Sequence, residues 1–183
     1  MRPAILIIDM LKEFVFGNLK AKQAQSIIPS IKRLLDFARK KKIPIFYVCD
    51  AHEEGDFELK LWGPHAMKGT KSAQVIDELK PTADDVIIEK RTYSGFFGTK
   101  LAEILKEKRI DTLILVGIFT HICVQHTAAD AFYNGFNVIV PRDATAASTL
   151  GDYEAGLNTM KTLYGATITT VNDLILKLSQ GQG

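Results

Sequence analysis

Short, uninterrupted apolar runs alternate along the chain with segments whose apolar residues recur at helical spacing. Ala4-Ile5-Leu6-Ile7-Ile8 holds no polar residue and predicts a strand buried on both faces. Residues 43–48, 86–88, 112–116, 137–140 and 166–169 repeat the type. Between them Ile27, Ile31, Leu34, Leu35 and Ala38 share one helical face, opposite Lys32, Arg33, Arg39 and Lys40. Pro29 suits that helix's first turn, where no N–H partner is lost. Leu101, Ile104 and Leu105 predict a second helix with Thr99 as a plausible N-cap, and a third runs from near His121 to Gly135, a left-handed stop. Leu157, Met160 and Leu163, then Leu174, Ile175 and Leu178, predict two more.

Strand and helix alternate through the whole length without a Pro/Gly-rich linker or an internal repeat. That predicts one α/β domain over residues 1–183, with a parallel sheet between two helical layers. Six strands are too few for a closed eightfold barrel, so the sheet is expected to be open and doubly wound. The long connection from Ala51 to Pro81 shows one short helical stretch, Ser72 to Leu79; connections of that length are usually functional.

With 46% apolar and 24% charged residues in 183, a disordered tail, a collagen-like fibre and a coiled-coil rod are excluded. Lys and Arg number 23 against 21 acids, a formal charge of +2, which gives no reason to expect nucleic acid or a membrane as partner. The only cysteines, Cys49 and Cys123, form no CxxC, so a disulfide scaffold, a zinc ribbon and a thioredoxin motif are excluded. Free thiols, and an apolar start that stops at Asp9, predict a cytoplasmic protein.

Ligands in open α/β sheets bind beyond the carboxyl ends of the strands, at the switch point. Asp9 follows the first predicted strand, Asp50 and His52 the second, Lys90 the third, and Cys123 the fourth, at a helix start. A lone cysteine is more often a small core residue, and Cys49, inside a strand, reads that way. Cys123 instead sits near the unpaired N–H groups of a helix start, a setting that favours thiolate. Asp9 reads either as a cap or as a carboxylate with a raised pKa able to exchange a proton with a thiol. Lys90 reads as a surface lysine or as the cation that lowers the thiol pKa. His121 and His126 offer a competing Cys-His dyad.

Asp9-x-x-x-x-Phe14, Asp50-x-His52, Trp62-x-x-His65, Lys90-x-x-Tyr93-Ser94-Gly95-Phe96-x-Gly98-Thr99-x-Leu101 and Gly117-x-x-Thr120-x-x-Cys123, in this order, resemble the isochorismatase-like cysteine hydrolases. Within them the set is most similar to nicotinamidases and N-carbamoylsarcosine amidases. The resemblance implies a six-stranded parallel sheet of order 3-2-1-4-5-6 and a catalytic triad of Asp9, Lys90 and Cys123. It also implies a cis peptide at Ile118-Phe119 and an oxyanion hole from the N–H groups of Phe119 and Cys123. Two positions depart from the family pattern: Leu11, where a polar residue is common, and Glu13, where Asp is usual. Both bear on the pocket floor.

Asp50 and His52, two apart at a strand end, can point the same way, with His65 in the loop beyond. Three O/N donors with an open position suit zinc, iron or manganese, although the same residues also read as loop histidines and a capping acid. The resemblance implies that they bind a divalent metal, which would orient the substrate's ring nitrogen; no organic cofactor is expected. Phe14, Trp62, Tyr93, Ile118 and Phe119 are candidate pocket walls for a flat ring. The reaction implied is hydrolysis of a small carboxamide, nicotinamide first, through a thioester. A ureido acid such as N-carbamoylsarcosine is the alternative and needs a cation, with Arg91, Arg142 or Lys68 available. A metal-dependent hydrolase or an idle binding protein on this fold stands third. Family habit implies a homo-oligomer, dimer or tetramer, and Lys40-Lys41-Lys42 argues against burying that helix end.

Overall fold

The apolar run near the amino terminus becomes the central strand of a parallel sheet. A computed structural model describes residues 1–180. Its strands are β1 (Pro3–Ile8), β2 (Ile45–Asp50), β3 (Val86–Lys90), β4 (Thr112–Ile118), β5 (Asn137–Pro141), β6 (Thr145–Ala146) and β7 (Thr167–Thr169). The order is β3-β2-β1-β4-β5-β7, which is the expected order with β7 as its sixth member. The two-residue β6, too short to show as an apolar run, pairs with β4 beside Gly117 and Ile118 and makes a seventh strand.

Alternation divides the strand side chains between two cores. Ile5, Ile7, Tyr47, Ile114 and Val116 face one layer, which includes α2 (Ile28–Lys41) and α7 (Val171–Gln180). Leu6, Ile8, Phe46, Val48, Leu113 and Leu115 face α4 (Leu101–Glu107), α5 (Gln125–Tyr133) and α6 (Leu150–Leu163). Each fully buried Ile or Leu is worth about 1.5–3 kcal/mol over exposure, so a sheet apolar on both faces needs both helical layers. The helix expected to end in Lys40-Lys41-Lys42 does so: Lys42 caps it with a left-handed φ of 55°, and Arg39, Lys40 and Lys41 form the last turn. Two shorter helices, α1 (Lys12–Phe16) and α3 (Leu59–Trp62), lie near the carboxyl ends of β1 and β2.

Three expectations need correction. Residues 72–76 are not helical: Glu13 N–H donates to Ser72 O, Lys12 N–H to Gln74 O and Ile76 N–H to Met10 O, so this stretch turns and then runs antiparallel to residues 10–13. Only Asp77–Leu79 forms a 3-10 turn. Leu163 is exposed although Leu157 and Met160 are buried, because steps of three residues drift off a 3.6-residue face. The helix expected from His121 opens with a wider π-helical turn, Thr120–Val124, before α5, and Gly135 supplies the left-handed stop at φ 81°.

β1 and β4 are neighbours whose chains leave the sheet toward opposite helical layers, so a crevice opens beyond Ile8 and Gly117. Gly117 has φ 115°, and a Cβ there would stand 2.0 Å from the Ile8 carbonyl oxygen. Only glycine fits that close approach of two strand ends.

Candidate active site

The floor of the crevice is a buried cluster of charge. Asp9 ends β1 with a left-handed φ of 51°, a conformation that a short polar side chain tolerates. Its Oδ1 accepts the Asp50 N–H at 2.8 Å and its Oδ2 lies 2.8 Å from Lys90 Nζ. The register of β2 on β3 sets Asp50 beside Lys90, and the ammonium also donates to Asp50 Oδ1. Lys90 Nζ stands 3.6 Å from Cys123 Sγ. One oxygen each of Asp9 and Asp50 lies within 4.8 Å of that sulfur. Asp9 and Lys90 are almost fully buried, and Cys123 is only 5% exposed. Three strand ends and one helical turn therefore bring together Asp9, Asp50, Lys90 and Cys123.

Burial and the neighbouring Asp50 carboxylate push Asp9 up to about 6, against the pull of Lys90. Burial works against the Lys90 ammonium, but Asp50 and Asp9 outweigh it and hold the group well above its ordinary value. The thiol departs from expectation. Burial, together with Asp9 and Asp50, pushes Cys123 well above the ordinary thiol range despite Lys90. Cys123 is thus held in its thiol form, with a carboxylate oxygen of Asp9 within 4.8 Å of its sulfur. Cys49, in the core as expected, is likewise pushed up by burial.

One wall carries the second cluster. Asp50, His52 and His65 are buried and can each offer one ligand atom within 4.8 Å of the others. His52 Nδ1 shares a 3.0 Å hydrogen bond with Asp56 Oδ2, and His65 Nδ1 donates to the Gly63 carbonyl at 2.8 Å. Both rings thus keep Nε2 toward the cluster, and His52 Nε2 is buried with no hydrogen-bond partner. Burial works against protonated His52, but Asp50, Asp56 and Glu58 outweigh it and raise its pKa. Arg91 beside Asp56 holds that carboxyl well below the usual range. Oriented rings, an orphaned nitrogen and concentrated carboxylate fit a divalent cation. Glu58, absent from the sequence-based set, joins this wall: its Oε2 is 3.8 Å from His52 Nε2 and its Oε1 is buried and unpartnered.

Between floor and wall lies a cavity of about 260 Å³. Phe14, Trp62, Tyr93 and Phe119 line it as expected, with Trp62 Nε1 donating to the Tyr93 hydroxyl at 2.9 Å. Ile118 does not. As the last residue of β4 it shares the face of Val116, points into the same core and is fully buried. The peptide Ile118–Phe119 is cis, as the resemblance implied. Leu11 is core, bridged to Val75, and does not shape the lining. The expected cations are engaged elsewhere: Arg91 with Asp56 and Glu53, Lys68 with Glu89, and Arg142 along separate depressions. His126 Nδ1 bonds the Ile122 carbonyl at 2.7 Å and its ring leans on Tyr93, so it forms no dyad with the thiol. Asn18, Lys20, Ile122 and Ser148, none of them singled out in the sequence, also line the cavity.

Residues 3–173 match the isochorismatase domain family. The chain is 31% identical over 176 residues to the uncharacterized isochorismatase family protein YaaI of Bacillus subtilis, covering 95% of this chain and 97% of that one. It spans about half, 53%, of enterobactin synthase component B of Escherichia coli, at 33% identity over 79% of this chain. The crystal structure of N-carbamoylsarcosine amidase from Thermoplasma acidophilum superposes with a TM-score of 0.89 at 39% identity, covering 94% of this chain and 98% of that one. The pyrazinamidase of Pyrococcus horikoshii in complex with zinc superposes at 0.85 with 30% identity, covering 93% and 99%. By fold, by strand order and by sequence over nearly its whole length, the chain belongs to the isochorismatase family of hydrolases.

Proposed function

We propose that this chain is a cysteine-dependent amidohydrolase that cleaves a small carboxamide to its acid and ammonia. The observation that carries the reading is the buried floor, where Lys90 Nζ reaches both Asp9 at 2.8 Å and Cys123 at 3.6 Å. A thiol held above its ordinary pKa is a weak nucleophile until its proton leaves. Asp9, pushed up to about 6 and with a carboxylate oxygen within 4.8 Å of that sulfur, is the acceptor in place. In the proposed sequence the Cys123 proton passes to Asp9 as Sγ attacks the carboxamide carbon. Lys90 stabilises the sulfur's growing negative charge. The oxyanion meets the N–H groups of Phe119 and Cys123. Asp9 returns the proton to the departing nitrogen, ammonia leaves, and water cleaves the thioester to free the acid and the thiol.

Asp50, His52 and His65 are the residues that would hold a divalent metal, with Glu58 beside them. A bound zinc, iron or manganese ion would supply a fixed Lewis-acid point for a substrate's ring nitrogen. Asp56 and the Gly63 carbonyl hold the two imidazoles in the tautomer that such binding needs. The zinc complex of the P. horikoshii pyrazinamidase supports this reading.

Nicotinamide is the first substrate, since Phe14, Trp62, Tyr93 and Phe119 offer flat walls beside that donor set. A ureido acid is the second reading, favoured by the 39% identity to the T. acidophilum N-carbamoylsarcosine amidase. Ammonia release measured over nicotinamide, pyrazinamide, N-carbamoylsarcosine and related amides tests the function. Turnover of one of them is expected, and silence across the panel refutes the reading.

A further inference from the structure

The rim of the cavity contains a segment that the proposed reaction leaves unused. Behind α1, Glu13 turns its carboxylate back on the main chain, where Oε1 accepts the Asn18 N–H at 3.1 Å and the Leu19 N–H at 3.4 Å. Just beyond, the Ala21 N–H donates to the Phe14 carbonyl at 3.1 Å. Lys20, an exposed residue, therefore hangs from a backbone fixed on both sides, and with Asn18 and Leu19 it borders the mouth of the cavity. Its ammonium has no ion-pair or hydrogen-bond partner among the described residues, and no other Lys or Arg is in the lining. Lys90, part of the floor, is already committed between Asp9 and Asp50.

We propose that Lys20 is the specificity-determining cation of this site, selecting small amides that carry a carboxylate away from the scissile bond. Glu13, the residue that departs from the family pattern, is the positioning residue: its carboxylate holds the turn that presents Lys20 and Asn18. A neutral amide gains nothing from an unpaired lysine at the mouth. A carboxylate entering a cavity that already carries Asp50 and Glu58 meets like charge, and Lys20 is the lining group that offsets it. The cavity's size leaves room for only a compact molecule of this kind. The inference rests on the amidohydrolase reading and favours its ureido-acid branch over the neutral one.

The test is calorimetric binding to the Cys123→Ala protein, which cannot turn its ligand over. The probes are N-carbamoylglycine and its neutral isostere, N-carbamoylglycinamide. The anion is expected to bind about tenfold tighter, as one charge-assisted hydrogen bond provides, and less so at higher salt. Adding Lys20→Ala should erase most of that ratio, and Lys20→Arg should keep it. Glu13→Ala should shrink it, while Glu13→Gln, which retains an acceptor oxygen, should preserve it. A ratio near one, no binding of either probe, or a preference that survives Lys20→Ala overturns the proposal. Wild-type ammonia release separates the two claims. Binding through Lys20 without turnover refutes the reaction alone, and turnover without charge preference refutes the anion site alone.

Discussion

The two ends of β1 and β4 each carry an aspartate, and the two behave in opposite ways. At the amino ends Asp111 is half exposed; the Thr112 hydroxyl donates to it at 2.6 Å and the Arg2 N–H at 2.9 Å, and these bonds hold its carboxyl below the ordinary value. At the carboxyl ends Asp9 is fully buried beside a second carboxylate and is pushed up to about 6. The same residue type closes a strand with solvent at one end and is stripped of solvent at the other. Stability is built at the first, whereas at the second the fold accepts buried charge that only Lys90 makes tolerable.

The largest break of this comparison is Gly117→Ala. Its Cβ would collide with the Ile8 carbonyl at 2.0 Å, at a φ of 115° that L residues rarely adopt. Denaturant unfolding should show a loss of at least about 4 kcal/mol, or no folded protein. Lys90→Met comes next. It leaves Asp9 and Asp50 buried without their cation, and unfolding should show a loss of about 3 kcal/mol or more. A loss below about 1 kcal/mol in either variant would mean that the carboxyl ends are no more constrained than the amino ends.

His52→Ala sharpens the difference between floor and wall. It removes one of the three proposed ligands while leaving the Asp9-Lys90-Cys123 floor intact. Elemental analysis of untagged protein should show metal in the wild type and an affinity weakened at least about 100-fold in the variant. Metal content unchanged by the substitution contradicts the assignment. The smallest effect belongs to Asp111→Asn. A depressed carboxyl adds stability above its unfolded value of about 3.9 and loses it as pH falls through the folded value. For a solvent-screened group the cost should be under about 1 kcal/mol at neutral pH and should vanish in acid. Unfolding curves at pH 7 and pH 3 check it.

Much of the fold is legible in the sequence. Ala4–Ile8 could only be a strand buried on both faces, and the residues following each strand pointed to the floor, because parallel sheets collect strand ends at one crevice. The candidate metal set, Asp50, His52 and His65, reads from the residues alone equally as two loop histidines and a capping acid, and only the resemblance favours a metal. What escaped depends on contacts distant in sequence. Ser72–Ile76 has helical spacing but spends its backbone bonds on residues 10–13. Lys20 looks like any surface lysine until Glu13 folds back beneath Asn18. Arg91 and Lys68 looked available because their partners, Asp56 and Glu89, lie 35 and 21 positions away along the chain. The thiol's direction was misjudged because proximity to a helix start is visible in sequence and depth of burial is not.

The account stands on Cys123 as the nucleophile. The most direct test is ammonia release by Cys123→Ala, on the best substrate of the amide panel, with metal content and circular dichroism matched to wild type. A fall of at least about a thousandfold is expected, because no other group in the cavity can form the thioester. Ammonia release within about tenfold of wild type would contradict the account and assign the chemistry to the metal wall.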